Sequence, residues 1–178
     1  MNFKNNLLIN IFSEWGFSRK GFLNNQNGEW WLLLQIFIII FHLIPAWPSS
    51  AGSPISIQIT SSIFFTIGLY RSILSLISLG ASLSPLPEPK KSANLVTTGL
   101  YKYCRHPLYQ SILIMSASYG FYRFSLIHLT LFILLSAVLI IKARIEENKL
   151  KQIHKEYKNY IFDVPAIFPG IKFYDWRI

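Results

Sequence analysis

Long apolar runs alternate with shorter polar segments along the chain, and their lengths predict how it folds. A helix needs about 20 mostly apolar residues to cross a hydrocarbon core of about 30 Å. The runs at 30–47 and 55–83 satisfy this requirement. The run at 108–141 is too long for one helix, so we expect a helical hairpin that turns near residues 119–123. The pattern predicts an all-α, polytopic membrane bundle of about four transmembrane helices, at 30–47, 55–83, 108–122 and 124–142.

Buried helices of a soluble protein are the alternative explanation of these runs. Such helices usually carry a polar stripe, whereas residues 32–43 offer only Gln35 and His42 as polar positions. The composition agrees with a membrane protein, since 52% of the residues are hydrophobic and only 14% are charged. His42 and His128 lie among apolar neighbours, so we expect them to pack rather than to bind a metal ion.

The segments that flank the predicted spans are more polar. Residues 1–29 form a cytoplasmic N-terminal segment, in which 21–28 is predicted to be a loop. Its first part places apolar residues on one helical face, which suits either a helix on the membrane surface or one docked on the protein itself. These apolar residues are Phe3, Leu7, Leu8, Ile11, Phe12 and Trp15.

Beyond the last span, the pattern predicts a cytoplasmic C-terminal helix over about 143–162. Its apolar face would contain Leu150, Ile153, Tyr157 and Tyr160. The helix should end before Pro165, and 164–170 should form an extended closing segment. Residues 30–170 then constitute the membrane domain, and 171–178 is a tail.

The positive charges are distributed unevenly among the segments that connect the predicted spans. The net charge is +9, but the connection at 45–54 carries no Lys or Arg, whereas the region after Ile141 carries eight. By the positive-inside rule, both termini and the loop at 84–107 face the cytoplasm. The charge therefore indicates membrane topology and not a nucleic-acid partner. We expect Arg71 to lie near the cytoplasmic surface. The alternatives are that it faces the interior of the bundle or that it contacts an anionic or polar substrate head group.

Polar and aromatic groups are densest just before the third span, where we place a functional site. An Arg and a His at this depth are costly unless they are solvated or partnered. Arg can hold a carboxylate with two parallel hydrogen bonds, and His can exchange a proton near neutral pH. Alternatively, Arg105 extends to the interface and His106 is a structural donor. The candidate residues here are Tyr101, Arg105, His106, Pro107 and Tyr109.

Two adjacent carboxylates, Glu146 and Glu147, follow the fourth span on the same predicted side of the membrane. A guanidinium and a carboxylate together suit a zwitterionic amino-acid group. We favour Glu146 as the ligand contact and Glu147 as its support, although either could instead form an ordinary helix pair with a nearby lysine. The single cysteine, Cys104, excludes an internal disulfide and is interpreted as a small packing residue.

The ordered motifs resemble those of the isoprenylcysteine carboxyl methyltransferase-like and phospholipid methyltransferase family of integral membrane enzymes. The resemblance rests on LVTTGLYKYCRHPLY at 95–109, the Glu pair, YKNY at 157–160 and Val164-Pro165, and it covers roughly residues 60–170. Ser111 and Leu100 depart from the family pattern, which often has Gly and Pro there. The resemblance implies a pocket for S-adenosylmethionine lined by Tyr101, Arg105, His106, Pro107, Tyr109, Glu146 and Glu147.

The resemblance further implies transfer of a methyl group to a lipid-like or isoprenoid-type acceptor at the membrane–cytoplasm interface. The acceptor atom would belong to a carboxylate, an amine or a thiol, with Arg105 and His106 as catalytic residues and no metal ion. Membrane lipids and a lipophilic or lipidated acceptor are the expected partners. The alternatives are a membrane reductase with a nicotinamide cofactor and a non-enzymatic lipid-binding protein that retains the fold.

Overall fold

The computed structural model describes residues 16–48, 53–89 and 94–177, and every regular element within them is helical. Single 3-10 turns occur at Gly80–Ser82 and Gly99–Lys102. The predicted amphipathic face at residues 3–15 lies outside the described residues. The α-helices are α1 (Arg19–Asn24), α2 (Glu29–Phe41), α3 (Ile55–Leu79), α4 (Pro107–Arg123), α5 (Leu126–Ile153) and α6 (Tyr157–Asp163).

Helix α4 occupies the centre of the bundle. It packs most extensively against α3 and also against α5, while α2 packs on α5. Gly68 permits the close approach of α3, because a Cβ atom there would lie 2.8 Å from Cγ of Met115 and 3.1 Å from the carbonyl oxygen of Ser111. The core side chains come from α2, α4, α5 and the segment after α6, and they include Ile38, Leu113, Leu135, Leu139 and Ile167.

Within the described residues, two stretches of helix are long and apolar enough to cross a membrane, at Ile55–Ser82 and Leu126–Ile153. The first predicted span is shorter than expected, because α2 contains 13 residues and ends at Phe41. At 1.5 Å per residue it extends for about 20 Å. The chain turns at 42–44, and Pro45 follows, where the missing amide hydrogen disfavours further helix.

The predicted helical hairpin is formed by α4 and α5, and its turn lies slightly later than expected. Helix α4 continues through Arg123, and Phe124 adopts the left-handed conformation with φ 47°. The amide N–H groups of Phe124 and Ser125 donate to carbonyls in the last turn of α4. Helix α5 then begins at Leu126, whose N–H donates to the Trp47 carbonyl in the preceding connection.

The predicted continuous helix over 143–162 is wrong in one respect. Helix α5 runs unbroken through Ile153, but His154 adopts an extended conformation and separates it from α6. The apolar face predicted to continue across this point is therefore divided between two helices. Residues 164–170 are not helical, as expected. They run beside the start of α4, where the N–H groups of Arg105 and His106 donate to the carbonyls of Pro165 and Ala166 at 2.9 and 3.0 Å.

The predicted loop at 21–28 is also partly wrong, because α1 occupies Arg19–Asn24. The Ser18 hydroxyl accepts a hydrogen bond from the N–H of Gly21 at 2.9 Å, which satisfies a donor in the first turn. Asn25 ends the helix in the left-handed conformation. Local capping by Ser18 and Asn25 therefore forms a short helix that apolar periodicity does not reveal.

Candidate active site

The seven predicted site residues converge at the end of the bundle where α4 begins. Tyr101 lies in the 3-10 turn, Pro107 is the first residue of α4, and the Glu pair lies in the last third of α5. The closing segment at 164–170 passes on the other side and holds the backbone of Arg105 and His106. Sequence positions more than 40 residues apart thus form one cluster, because the hairpin brings α5 back beside the start of α4.

A fully enclosed ion pair forms the centre of this cluster. Nε of Arg105 lies 2.8 Å from Oε1 of Glu147, and Nη2 lies 3.3 Å from Oε2, so the pair is bidentate. The side chains are 0% and 2% exposed. Nη1 of Arg105 donates to the carbonyls of Ile161 and Val164. Every nitrogen of the guanidinium therefore contacts protein oxygen, and Arg105 ties α5 to the end of α6.

His106 shares the same carboxylate and contacts the other one. Its Nε2 lies 3.0 Å from Oε1 of Glu147, and Nδ1 lies 3.9 Å from Oε2 of Glu146. Its ring stacks on Tyr109, with centroids 5.4 Å apart and an interplanar angle of 3°. The imidazole is thus held in one orientation between two carboxylates, which is suited to binding or releasing a proton.

The two glutamates have different environments. The Glu147 side chain is enclosed, whereas the Glu146 side chain is 29% exposed. Tyr109 donates its hydroxyl to Oε2 of Glu146 at 3.2 Å, which orients that carboxylate. Glu146 is therefore the carboxylate that a ligand can reach.

Glu146 opens into a groove between the end of α3, the 3-10 turn and α6. Burial raises the pKa of Tyr101, Tyr157 and Tyr160, so their phenol groups stay neutral. The groove combines aromatic and apolar side chains with about as much polar surface, to which Arg105, His106 and Glu146 contribute. Its lining includes Leu79, Ser84, Asn94, Val96, Tyr101, His106, Glu146, Leu150, His154, Tyr157 and Tyr160.

Cys104 helps to hold the closing segment in place. Its side chain is 2% exposed, and Sγ lies 3.2 Å from the carbonyl oxygen of Ala166. Burial raises the pKa of the thiol to about 11. The environment agrees with a packing residue and not with a reactive nucleophile.

Trp176 is a site residue that the sequence analysis missed, because residues 171–178 are interpreted there as a tail. The tail returns to α5, where Tyr174 and Ser136 share a hydrogen bond. The indole N–H of Trp176 donates to Oε2 of Glu147, and its ring lies 5.9 Å from Cζ of Arg105. Three aromatic residues, Phe173, Tyr174 and Trp176, in this short segment are the only local sign of the contact.

Lys142 is a second residue that the sequence analysis missed. It is almost fully buried and donates to Oε1 of Gln35 and to the carbonyl of Pro85. Its Nζ lies 5.6 Å from the centroid of the Tyr109 ring, so a cation supports the aromatic wall of the site. Sequence analysis groups Lys142 with the interfacial charges, since a lysine at the end of an apolar run usually reaches solvent.

A sequence model of the phospholipid methyltransferase family matches residues 57–157. The match covers more than half of the 178 residues and includes all seven predicted site residues. The chain belongs to the phospholipid methyltransferase family. The family expected from the sequence motifs is thereby confirmed, and with it a methyltransferase of the membrane. No curated protein matches the chain. No solved structure matches it either. The closing segment and Trp176 lie outside the matched range.

Proposed function

We propose that this protein transfers a methyl group from S-adenosylmethionine to a lipid-like or isoprenoid-type acceptor at the membrane–cytoplasm interface. The observation that carries the proposal is the partly exposed Glu146 carboxylate, which opens into a groove beside a buried Arg–His–Glu cluster. Membership of the phospholipid methyltransferase family supports the reaction class. The acceptor atom would belong to a carboxylate, an amine or a thiol.

The chemistry of the groove fits the proposed methyl donor. Glu146 offers a carboxylate to the ammonium group of the amino-acid moiety, and the half-buried phenol ring of Tyr160 offers a neutral surface to adenine or to a sulfonium cation. S-adenosylmethionine, when bound, supplies the activated methyl group. Arg105 would act on the ligand mainly through Glu147 and the closing segment, because protein oxygens surround its guanidinium.

The other tasks of the site would be to position the methyl donor and the acceptor, to exclude water and to move a proton. Methyl transfer from a sulfonium disperses charge, so orientation and a dry environment matter more than strong acid–base chemistry. If the acceptor is an amine, His106 would take the proton that the amine loses. The contact of its Nε2 with Glu147 fixes the orientation of the ring for this role. Pro107 and Tyr109 hold the start of α4 and the stacked imidazole in place.

For topology, we propose four spans formed by α2, α3, α4 and α5, with both termini and the site in the cytoplasm. The charge distribution supports this orientation, since the connection at 45–54 has no Lys or Arg and the flanking segments have several. The last part of α5 and α6 would then form the cytoplasmic C-terminal region. Residues 42–47 would complete the first crossing beyond the end of α2.

Binding of S-adenosylmethionine to detergent-purified protein tests the proposed function. We expect saturable binding that weakens at least about tenfold in Glu146→Gln, because a charge-assisted hydrogen bond is lost. The control is Lys155→Ala, which removes an exposed charge that has no contact with the groove. Absence of saturable binding, or tighter binding of a reduced nicotinamide dinucleotide, would overturn the proposal and favour a reductase or a non-enzymatic protein.

The methyl acceptor can be identified by following a labelled methyl group from the donor into its product. Membranes that contain the protein are incubated with S-adenosylmethionine labelled in the methyl group, and the labelled lipids and proteins are separated. We expect label in a lipid or lipidated species, and none with Glu146→Gln under the same conditions. Label confined to water-soluble products would contradict a lipid-like acceptor.

A further inference from the structure

His154 separates α5 from α6 and lines the same groove as Glu146. Its backbone is extended, and its N–H donates to the Leu150 carbonyl at 2.8 Å, which ends α5. Its side chain is 15% exposed, so the imidazole is largely enclosed but can still be reached. His154 is not among the seven predicted site residues, and the chemistry proposed for the groove does not involve it.

Several polar groups around the groove are already hydrogen-bonded within the protein. The Ser84 hydroxyl donates to the Leu86 carbonyl, and the Tyr160 hydroxyl donates to the Tyr101 carbonyl. By contrast, Nε2 of His154 makes no hydrogen bond within the described residues. Polar atoms in enclosed places are normally hydrogen-bonded. His154 therefore offers a ligand a ring nitrogen that the described part of the protein does not itself use.

The carboxylate of Glu156 determines what this nitrogen can do. Oε1 of Glu156 lies 3.5 Å from Nδ1 of His154, on the other edge of the ring from Nε2. A carboxylate beside one ring nitrogen favours the tautomer that carries its proton there. In the neutral imidazole Nε2 then keeps its lone pair and accepts a hydrogen bond. The side chain of His154 is thus prepared to bind a donor group of a ligand.

The spacing along α5 indicates which part of the ligand lies beside His154. Glu146, Leu150 and His154 follow one another at intervals of four residues, and all three line the groove. At 1.5 Å per residue, Glu146 and His154 are about 12 Å apart along the helix axis. An extended adenosyl amino acid carries its ammonium group at one end and its adenine at the other. With the ammonium on Glu146, the adenine would extend toward His154.

We propose that His154 recognises the adenine of S-adenosylmethionine, with Nε2 accepting a hydrogen bond from the exocyclic amino group. His154 is then a specificity-determining residue, because a base with a carbonyl oxygen at that position would present an acceptor to an acceptor. The half-buried ring of Tyr160 lines the same groove and offers the base an apolar surface. This inference rests on the proposed function for the identity of the methyl donor, but it concerns binding and is testable without methyl transfer.

Calorimetric binding of two product analogues to detergent-purified protein tests the contact. S-adenosylhomocysteine carries adenine, whereas S-inosylhomocysteine carries hypoxanthine, with a carbonyl oxygen in place of the amino group. We expect the unmodified protein to prefer the adenine compound by about tenfold or more. His154→Ala should weaken binding of S-adenosylhomocysteine by about tenfold and leave that of S-inosylhomocysteine unchanged. His154→Gln should bind both, because an amide offers a donor as well as an acceptor.

Two further variants provide the controls. Glu146→Gln should weaken both analogues equally, because it contacts the amino-acid end that they share, and the exposed Lys155→Ala should affect neither. The thermal midpoint of each variant verifies folding. Equal affinity of the unmodified protein for the two analogues, or equal weakening of both by His154→Ala, would overturn the role of His154 and leave the proposed function intact. Failure of both analogues to bind the unmodified protein would instead contradict the proposed function, and this inference with it.

Discussion

The indole N–H of Trp176 donates to Oε2 of Glu147 at a distance of 2.8 Å. The same carboxylate receives hydrogen bonds from Arg105 at the start of α4 and contacts the imidazole of His106. Glu147 therefore joins α5, the start of α4 and the tail at a single point. Because all three partners are N–H groups, the negative charge of Glu147 is what keeps these segments together, and Glu146 beside it is left for a ligand.

Replacement of Trp176 by Phe should destabilise the protein although it keeps an aromatic ring. The variant loses a hydrogen bond to a charged, enclosed carboxylate, which we expect to cost about 1–2 kcal/mol because the indole itself is half-buried. Thermal unfolding in detergent measures the change. Trp30→Phe is the matched control, since its indole also donates to an oxygen, the Phe22 carbonyl, but at an exposed site. An equal loss in both variants would contradict the role of Trp176.

Removal of one partner of the Arg105–Glu147 pair should destabilise the protein far more than replacement of both partners by apolar residues. Either Arg105→Met or Glu147→Leu alone leaves a buried charge without its partner, and each should lower the free energy of unfolding by about 3–5 kcal/mol. The double variant Arg105→Met with Glu147→Leu should be more stable than either single variant. Unfolding midpoints of the three proteins test this, and additive losses would contradict a coupled buried pair.

Substitutions of the two glutamates should affect different properties of the protein: ligand binding for Glu146 and thermal stability for Glu147. Glu146→Gln should weaken binding of S-adenosylmethionine with little change in the unfolding midpoint, because its side chain is partly exposed. Glu147→Gln should mainly lower the unfolding midpoint, because its carboxylate is enclosed by donors. Calorimetric binding and thermal unfolding of both variants provide the comparison. The assignment of roles is wrong if Glu147→Gln weakens binding while the midpoint is unchanged.

Cys104 should resist alkylation in the folded protein. Its pKa is raised from an ordinary thiol value to about 11, so the thiol stays protonated as the pH rises to 9, and it is also enclosed. We expect iodoacetamide to label Cys104 only after denaturation, across the range from pH 7 to about 9. Lys155→Cys, which adds an exposed thiol, is the positive control. Labelling of Cys104 in the native protein at the rate of the control would contradict the packing of the closing segment.

Local patterns in the chain were sufficient for the long apolar helices, the α4–α5 hairpin and the family. Apolar run length determines whether a helix can cross a bilayer, and it depends on neighbouring residues alone. The family match over 57–157 confirms the motif-based family. The ends of α2 and α5 were less predictable. The turn at 42–44 lies within the apolar run at 30–47, and the extended His154 lies within the apolar pattern that continues from Leu150 to Tyr160.

Tertiary structure decided which contacts each candidate site residue makes. Arg105 has the sequence context of a free interfacial arginine, yet its charge is satisfied by Glu147 and by carbonyls after α6. The partners are 42 or more positions away in the chain, so no local pattern can report them. Trp176 and Glu147 are 29 positions apart, and the hydrogen-bonded Arg71 and Gln110 are 39 positions apart, so these contacts are also invisible to local patterns. Residue type and spacing thus determined which groups are available, and the packing of α3, α4, α5 and the tail determined which of them are paired and which face a ligand.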